Sequence, residues 1–266
     1  MYGKQHIHSA SASLVGHALR KFWQHRDLLW SIYLISALFT FMRLATGIYL
    51  LSSPAADILL GLLFNIITMP FAVLGLSRVL LNIMQGEPVR LLMILEDAKN
   101  LRSLKRALAA ALIWQVPALL VTFLTSVQLP RIQTLGQIFA VIPPLTFGIS
   151  AWIWLLIKLF MFPYLYVTHP KATLFKLVKA SFEAVQGNML RTALTYLKSV
   201  WAVALVSICM IMLAAPLVSH EASRQGSSWL FYNGAITISI TILGPYTGLA
   251  MAGYAGRLMK ERMQKG

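Results

Sequence analysis

Six long apolar stretches follow one another along this chain, at about residues 28–50, 56–78, 107–128, 135–160, 192–218 and 229–256. A membrane-spanning helix needs about 20 largely apolar residues, and each stretch reaches that length. In lipid the backbone N–H and C=O groups must be satisfied within the segment, which makes helix the form such a stretch takes. The expected fold is therefore all-α: a polytopic transmembrane helix bundle with six spans, forming a single integral membrane domain over residues 1–266. Composition agrees. The chain is 58% hydrophobic and 12% charged, with a mean hydropathy of +0.70, whereas soluble domains carry about 25% charged residues. So few charges cannot clothe a water-soluble surface of this size.

Arg43 interrupts the first stretch. Fifteen residues before the interruption would reach only about 22 Å at 1.5 Å per residue, short of a hydrocarbon core of about 30 Å. The span is expected to continue to about Leu51, with Arg43 in the outer part of the membrane. Residues 1–27 form a cytoplasmic, amphipathic N-terminal segment without the apolar region of a signal peptide, so no cleavage is expected. The single cysteine, Cys209, excludes an intrachain disulfide and a thiolate metal site.

Orientation follows from the cations. Lys4, Arg20, Lys21 and Arg26 precede the first span. Arg78, Arg90, Lys99, Arg102, Lys105 and Arg106 lie between the second and third. Lys171, Lys176, Lys179 and Arg191 lie between the fourth and fifth, and Arg257, Lys260, Arg262 and Lys265 follow the sixth. These are eighteen of the 23 lysines and arginines. The opposite connections hold only Arg131 and Arg224, with Arg43 near that face. The positive-inside rule then places both termini in the cytoplasm of a multi-pass inner-membrane protein. The same asymmetry accounts for the pI near 10.3 without nucleic acid as a partner.

The basic connections are patterned. Residues 9–27, 87–105 and 168–190 are amphipathic; in the last, Leu174, Leu177, Val178, Phe182 and Val185 recur at helical spacing while Lys171, Lys176 and Lys179 keep largely to other faces. Two placements suit such helices: in the headgroup layer, with lysines reaching anionic phosphates, or packed as caps on the bundle. The outer connections are short. A weak repeat also runs through the chain, since the even spans read PFAVLG from Pro70, PPLTFG from Pro143 and PYTGLA from Pro245. Three helical hairpins about an approximate threefold axis would follow from it.

Few ionisable groups lie within the spans, where they would mark a functional path. Arg43 and Asp57 are placed to form an outer ion pair, or Arg43 simply snorkels. Lys158 and Lys198 flank the segment that carries Lys176 and Lys179, and the four are candidate contacts for a lipid phosphate or another anion; two snorkelling lysines are the plainer reading of the first pair. Asn65, Gln115 and Gln137 are expected to hydrogen-bond between helices. Gly244, Gly248, Ala252 and Gly256 recur every fourth residue and form a helix-packing seam, inside the bundle or between protomers. Pro245 and the Pro143–Pro144 pair should kink or break their helices. No convergent metal ligands, nucleophile–base set or phosphate loop is seen, so no enzyme activity and no cofactor are expected.

From Ile142 onward, IPP at 142–144, FPYLYV before His169-Pro170, KASFEAVQGN with Ser181, Gly187 and Asn188, and GPYTGLAMAGYAGRL resemble the bacterial domain-of-unknown-function 975 family and its six-span relatives. Pro144 departs from the glycine more common there, and the N-terminal half matches poorly. The resemblance implies a bacterial inner-membrane protein with six spans and carries over no catalytic residue.

The function expected is that of a non-enzymatic membrane protein whose basic cytoplasmic face engages anionic phospholipid headgroups or a protein partner, with homo-oligomerisation open. The alternative is a permease-like subunit that works with a separate ATPase or moves a lipophilic substrate. An enzyme acting on lipids is a weaker third reading.

Overall fold

Every regular element is helical among the residues that the computed structural model describes, namely 16–50, 68, 70–128, 135–221 and 227–263. A short helix α1 (16–24) leads into α2 (Arg26–Leu50). A π-helical turn (Pro70–Gly75) opens α3 (Leu76–Gln85), and a 3₁₀ helix (Leu91–Ala98) precedes α4 (Leu101–Gln128). Then come α5 (Leu135–Leu159), α6 (Phe162–Thr168), α7 (Leu174–Val185), α8 (Met189–Glu221) and α9 (Ser227–Met263). Residues 51–67, which hold much of the expected second span, lie outside the described residues.

Local chemistry sets the boundaries of α3, α4, α6 and α7. Gly86 adopts a left-handed φ of 81°, and the Glu87 N–H reaches back to the Asn82 carbonyl at 2.9 Å, closing α3. Asn100 Oδ1 accepts from the Ser103 N–H at 2.8 Å to start α4. Thr173 Oγ1 accepts from the Lys176 N–H at 3.4 Å to start α7. Pro163 sits in the first turn of α6, where its missing N–H leaves no helical bond unmade.

The core lies where the three proline-bearing segments end. Leu74, Val79, Leu80, Leu81 and Ile83 from the π turn and α3 pack with Leu159–Tyr166 at the α5–α6 junction and with Leu249–Leu258 of α9. Phe160 and Tyr254 bring their rings to 6.0 Å across that junction. The outer partners α2, α4 and α8 flank this centre, with α8 along α9, α2 against α9 and α4 along α5. Proline does not break these helices: α5 runs through Pro143 and Pro144, α9 runs through Pro245, and at Pro70 the chain widens into a π turn.

The small-residue face of α9 meets helices of the same chain. A Cβ at Gly244 would come within 2.5 Å of the Tyr33 ring, and one at Gly248 within 2.8 Å of both Leu80 Cδ1 and the Tyr33 hydroxyl. Ala252 is fully buried. At Gly256 the nearest atom, Leu81 Cδ1, is 3.9 Å away. Gly75 is tighter still, because a Cβ there would run into the backbone carbonyl of Ile94 in the 3₁₀ helix.

Two stretches among the described residues are long and apolar enough to cross a membrane: Thr146–Thr168, which continues through the bend at Phe160–Met161, and Met189–Met210. Along α8, Leu190, Leu194, Leu197, Trp201, Leu205, Ile208 and Met212 are exposed at three- to four-residue spacing, so over residues 190–212 one stripe is apolar and uncovered. That surface is compatible with insertion into a membrane.

The contrast between two glycines gives a stability test. Gly75→Ala should destabilise by about 1–3 kcal/mol, since backbone cannot retreat as a side chain can. Gly256→Ala, which meets only ordinary van der Waals distances, should be neutral or gain a few tenths of a kcal/mol from helix propensity. Thermal unfolding of the two purified variants beside the parent decides it; equal melting temperatures would remove the close approach at Gly75.

Candidate functional site

A polar network joins four elements: α3, the 3₁₀ helix, α4 and α6. Arg78 of α3 donates from Nη2 to Asp97 Oδ2 at 3.1 Å and from Nη1 to the Met93 carbonyl at 3.2 Å, and its Nε lies 3.3 Å from Glu96 Oε2. The Arg78 and Asp97 side chains are 13% and 10% exposed, so this pair has left bulk water. Tyr166 of α6 donates its hydroxyl to Asp97 Oδ1 at 3.3 Å, and Ser103 Oγ donates to the Asp97 carbonyl at 2.8 Å. The Arg106 guanidinium of α4 stacks over the Tyr166 ring at 4.5 Å.

Arg106 also fixes the turn between α6 and α7. Its guanidinium donates to the carbonyls of His169 at 3.1 Å and Ala172 at 3.0 Å, and to that of Pro170. Three carbonyls gathered on one planar fork hold residues 169–172 in place. Thr168 Oγ1 donates to the Tyr164 carbonyl at 3.0 Å and lies 2.8 Å from His169 Nδ1. Nδ1 is thus engaged by Thr168, which leaves Nε2 for an outside partner.

Beside this turn lies a cleft of about 550 Å³, bounded by the end of α3, by α6, α7 and the last turns of α9. Its floor is apolar, with Met161, Leu165, Leu177, Ala180, Ala184, Leu258 and Met259; its polar lining is Gln85, Thr168, His169, Lys176 and Lys260, with no carboxylate. A second cleft of about 510 Å³ shares Gln85, Gly256 and Lys260 and adds His17, Glu87 and Arg257. Only the first combines an apolar floor with a purely cationic mouth.

The residues singled out from the sequence fall in different places. Lys176 lines the first cleft. Lys179, on another face of α7, lies 4.0 Å from Glu183. Lys158 is half-buried, its ammonium 5.9 Å from the ring centroids of both Trp154 and Phe182, and its carbonyl accepts from Ser181 Oγ at 2.7 Å. Lys198 is exposed on α8. Gln115 is buried and its Nε2 makes no hydrogen bond among the described residues. Asp57 and Asn65 and the side chains of Arg43 and Gln137 lie outside the described residues, and the outer ion pair with them.

Sequence reasoning missed Asp97, Tyr166, His169 and Lys260. One signal was present: Glu96 and Asp97 are two of only eight acidic residues, adjacent within the most basic connection. The side-chain partners of Asp97, Arg78 and Tyr166, are 19 and 69 residues away, beyond any local pattern.

No family model, curated protein or solved structure matches the chain.

Removing one half of a buried ion pair strands the other. Asp97→Ala should therefore cost about 2–3 kcal/mol, tempered because Glu96 still faces Arg78. Glu96→Gln, at a site open to solvent, should cost under about 1 kcal/mol. Chemical or thermal unfolding of both variants checks the order, and equal losses would show that Asp97 is not the principal partner.

Proposed function

We propose that the chain is a six-span integral membrane protein of the inner membrane, with both termini in the cytoplasm, that works at the inner leaflet by engaging anionic phospholipid headgroups through its basic face. Five described helices coincide with expected spans, and even the shortest, α2 and α5, have 25 residues. At 1.5 Å per residue that is about 37 Å, enough for a hydrocarbon core of about 30 Å. The likeness of residues 142–266 to the domain-of-unknown-function 975 family belongs to the same reading.

One observation carries it. Each of the three basic connections packs one side inward and turns large apolar side chains outward beside its cations. In α1, Ala18 and Phe22 are buried, while Leu19 and Trp23 are exposed next to Arg20 and Lys21. Around the 3₁₀ helix, Asp97 is buried, while Leu91, Leu92 and Leu95 are exposed near Arg90 and Lys99. In α7, Leu177, Ser181 and Val185 are buried, while Phe175 is exposed next to Lys176. Cations interleaved with uncovered leucine, tryptophan and phenylalanine are what an anionic interface rewards: the apolar groups enter the acyl boundary and the cations meet phosphate. Each segment therefore caps the bundle and lies on the headgroup layer together.

Hydrogen exchange of the full-length protein in nanodiscs tests the reading. Backbone amides of 91–105 and 174–185 should exchange several-fold more slowly in phosphatidylglycerol-rich discs than in phosphatidylcholine discs, and the difference should shrink at high salt. Identical exchange in the two lipids would sink the proposal.

A further inference from the structure

Resting on that placement at the inner leaflet, we propose that the cleft between α6, α7 and the end of α9 is a discrete binding site for one anionic glycerophospholipid. The phosphate would sit between Lys176, Lys260 and His169, with an acyl chain along Leu165, Leu177 and Met259.

Three features point to this occupant. The floor belongs to the solvent of the acyl chains, since Leu165 lies within the membrane-crossing stretch Thr146–Thr168 and is buried beside Leu177. The mouth belongs to the headgroup layer, since His169 is the first residue after that stretch and Lys176 stands in the first turn of the next helix. The charge is of one sign: among the described residues neither Lys176 nor Lys260 has an ion-pair partner. Of the nearby carboxylates, Glu183 lies 4.0 Å from Lys179, Glu261 lies 3.5 Å from Arg191, and Glu87 lines the adjoining cleft and not this one. Two unpaired ammonium groups and an imidazole nitrogen over an apolar trough complement a molecule that carries phosphate at one end and hydrocarbon at the other. A free anion would use the mouth and leave the trough wet, and a neutral lipid would use the trough and leave the cations unmatched.

The site is also held in shape. The Arg106 fork binds three carbonyls of the 169–172 turn, so His169 and the start of α7 keep a fixed separation. A pre-arranged turn loses little freedom when the ligand binds.

Native mass spectrometry of the full chain in a non-ionic detergent, titrated with phosphatidylglycerol, phosphatidylcholine or inorganic phosphate, tests the assignment. The expected result is one saturable phosphatidylglycerol adduct, with phosphatidylcholine and inorganic phosphate each binding at least about tenfold more weakly. Lys176→Gln with Lys260→Gln should weaken the adduct about tenfold or more, and Ala184→Phe, which fills the floor without changing charge, should do the same. Equal binding of phosphatidylcholine, equal binding of inorganic phosphate, or an adduct indifferent to both the lysine pair and the floor variant would overturn the proposal. Slower exchange of 91–105 and 174–185 in anionic discs without a specific adduct would remove the cleft and leave the broader reading. A specific adduct without that exchange difference would do the reverse.

Discussion

A guanidinium that leaves water must be matched, and Arg78 is matched by Asp97, Glu96 and the Met93 carbonyl together. That requirement draws the 3₁₀ helix down onto the first turns after Pro70, close enough that Gly75 has no room for a Cβ beneath Ile94. The consequences propagate. Asp97 takes the Tyr166 hydroxyl, the Tyr166 ring takes the Arg106 guanidinium, and Arg106 takes the carbonyls of the turn after α6. This end of the bundle is thus ordered by a chain of charge-assisted contacts that begins at one buried pair and ends at the wall of the cleft. An apolar contact at any of these joints would exclude water as well, but it would not fix the direction of the next element.

Close packing supplies the rest. The three proline-bearing segments meet at their inner ends in a core of Leu80, Leu81, Met161, Phe162, Leu249 and Ala255. The approach of α9 to α2 and α3 is set by the absence of side chains at Gly244 and Gly248, whose space is taken by Tyr33 and Leu80. Backbones brought this close gain dispersion contacts that do not depend on water.

Much of the helical framework is legible in the sequence because length of apolar run is a one-dimensional property. The runs at 107–128, 135–160 and 229–256 reappear within α4, α5 and α9. Among the described residues, Thr146–Thr168 and Met189–Met210 are long and apolar enough to cross a membrane. The site is less legible. Lys176 could be named from its place on an amphipathic helix, but Lys260 joins it only because α9 ends beside α7. Lys158 shows the converse, since its sequence position suits an anion contact and its neighbours in space are the rings of Trp154 and Phe182. Asp97 was hidden because a buried carboxylate is defined by its partners, and those lie in α3 and α6.

The exposed leucines of the basic segments have an energetic meaning once a bilayer is present. Leu92 is 71% exposed and Phe175 79% exposed, and covering a side chain of that size gains roughly 1.5–3 kcal/mol. A lysine or arginine near an anionic leaflet adds about 1 kcal/mol. The two terms act on the same short helices, and neither can be satisfied without the other: a segment that dips its leucines without phosphate for its cations forfeits the second term, and one that hovers on its cations leaves the first unused. On the proposed topology, a chain of net charge +15 gathers its cations largely on one face and gains most where apolar boundary and anionic headgroups coincide. The cleft repeats that arrangement on the scale of a single lipid, with Leu165 and Leu177 below and Lys176 and Lys260 above.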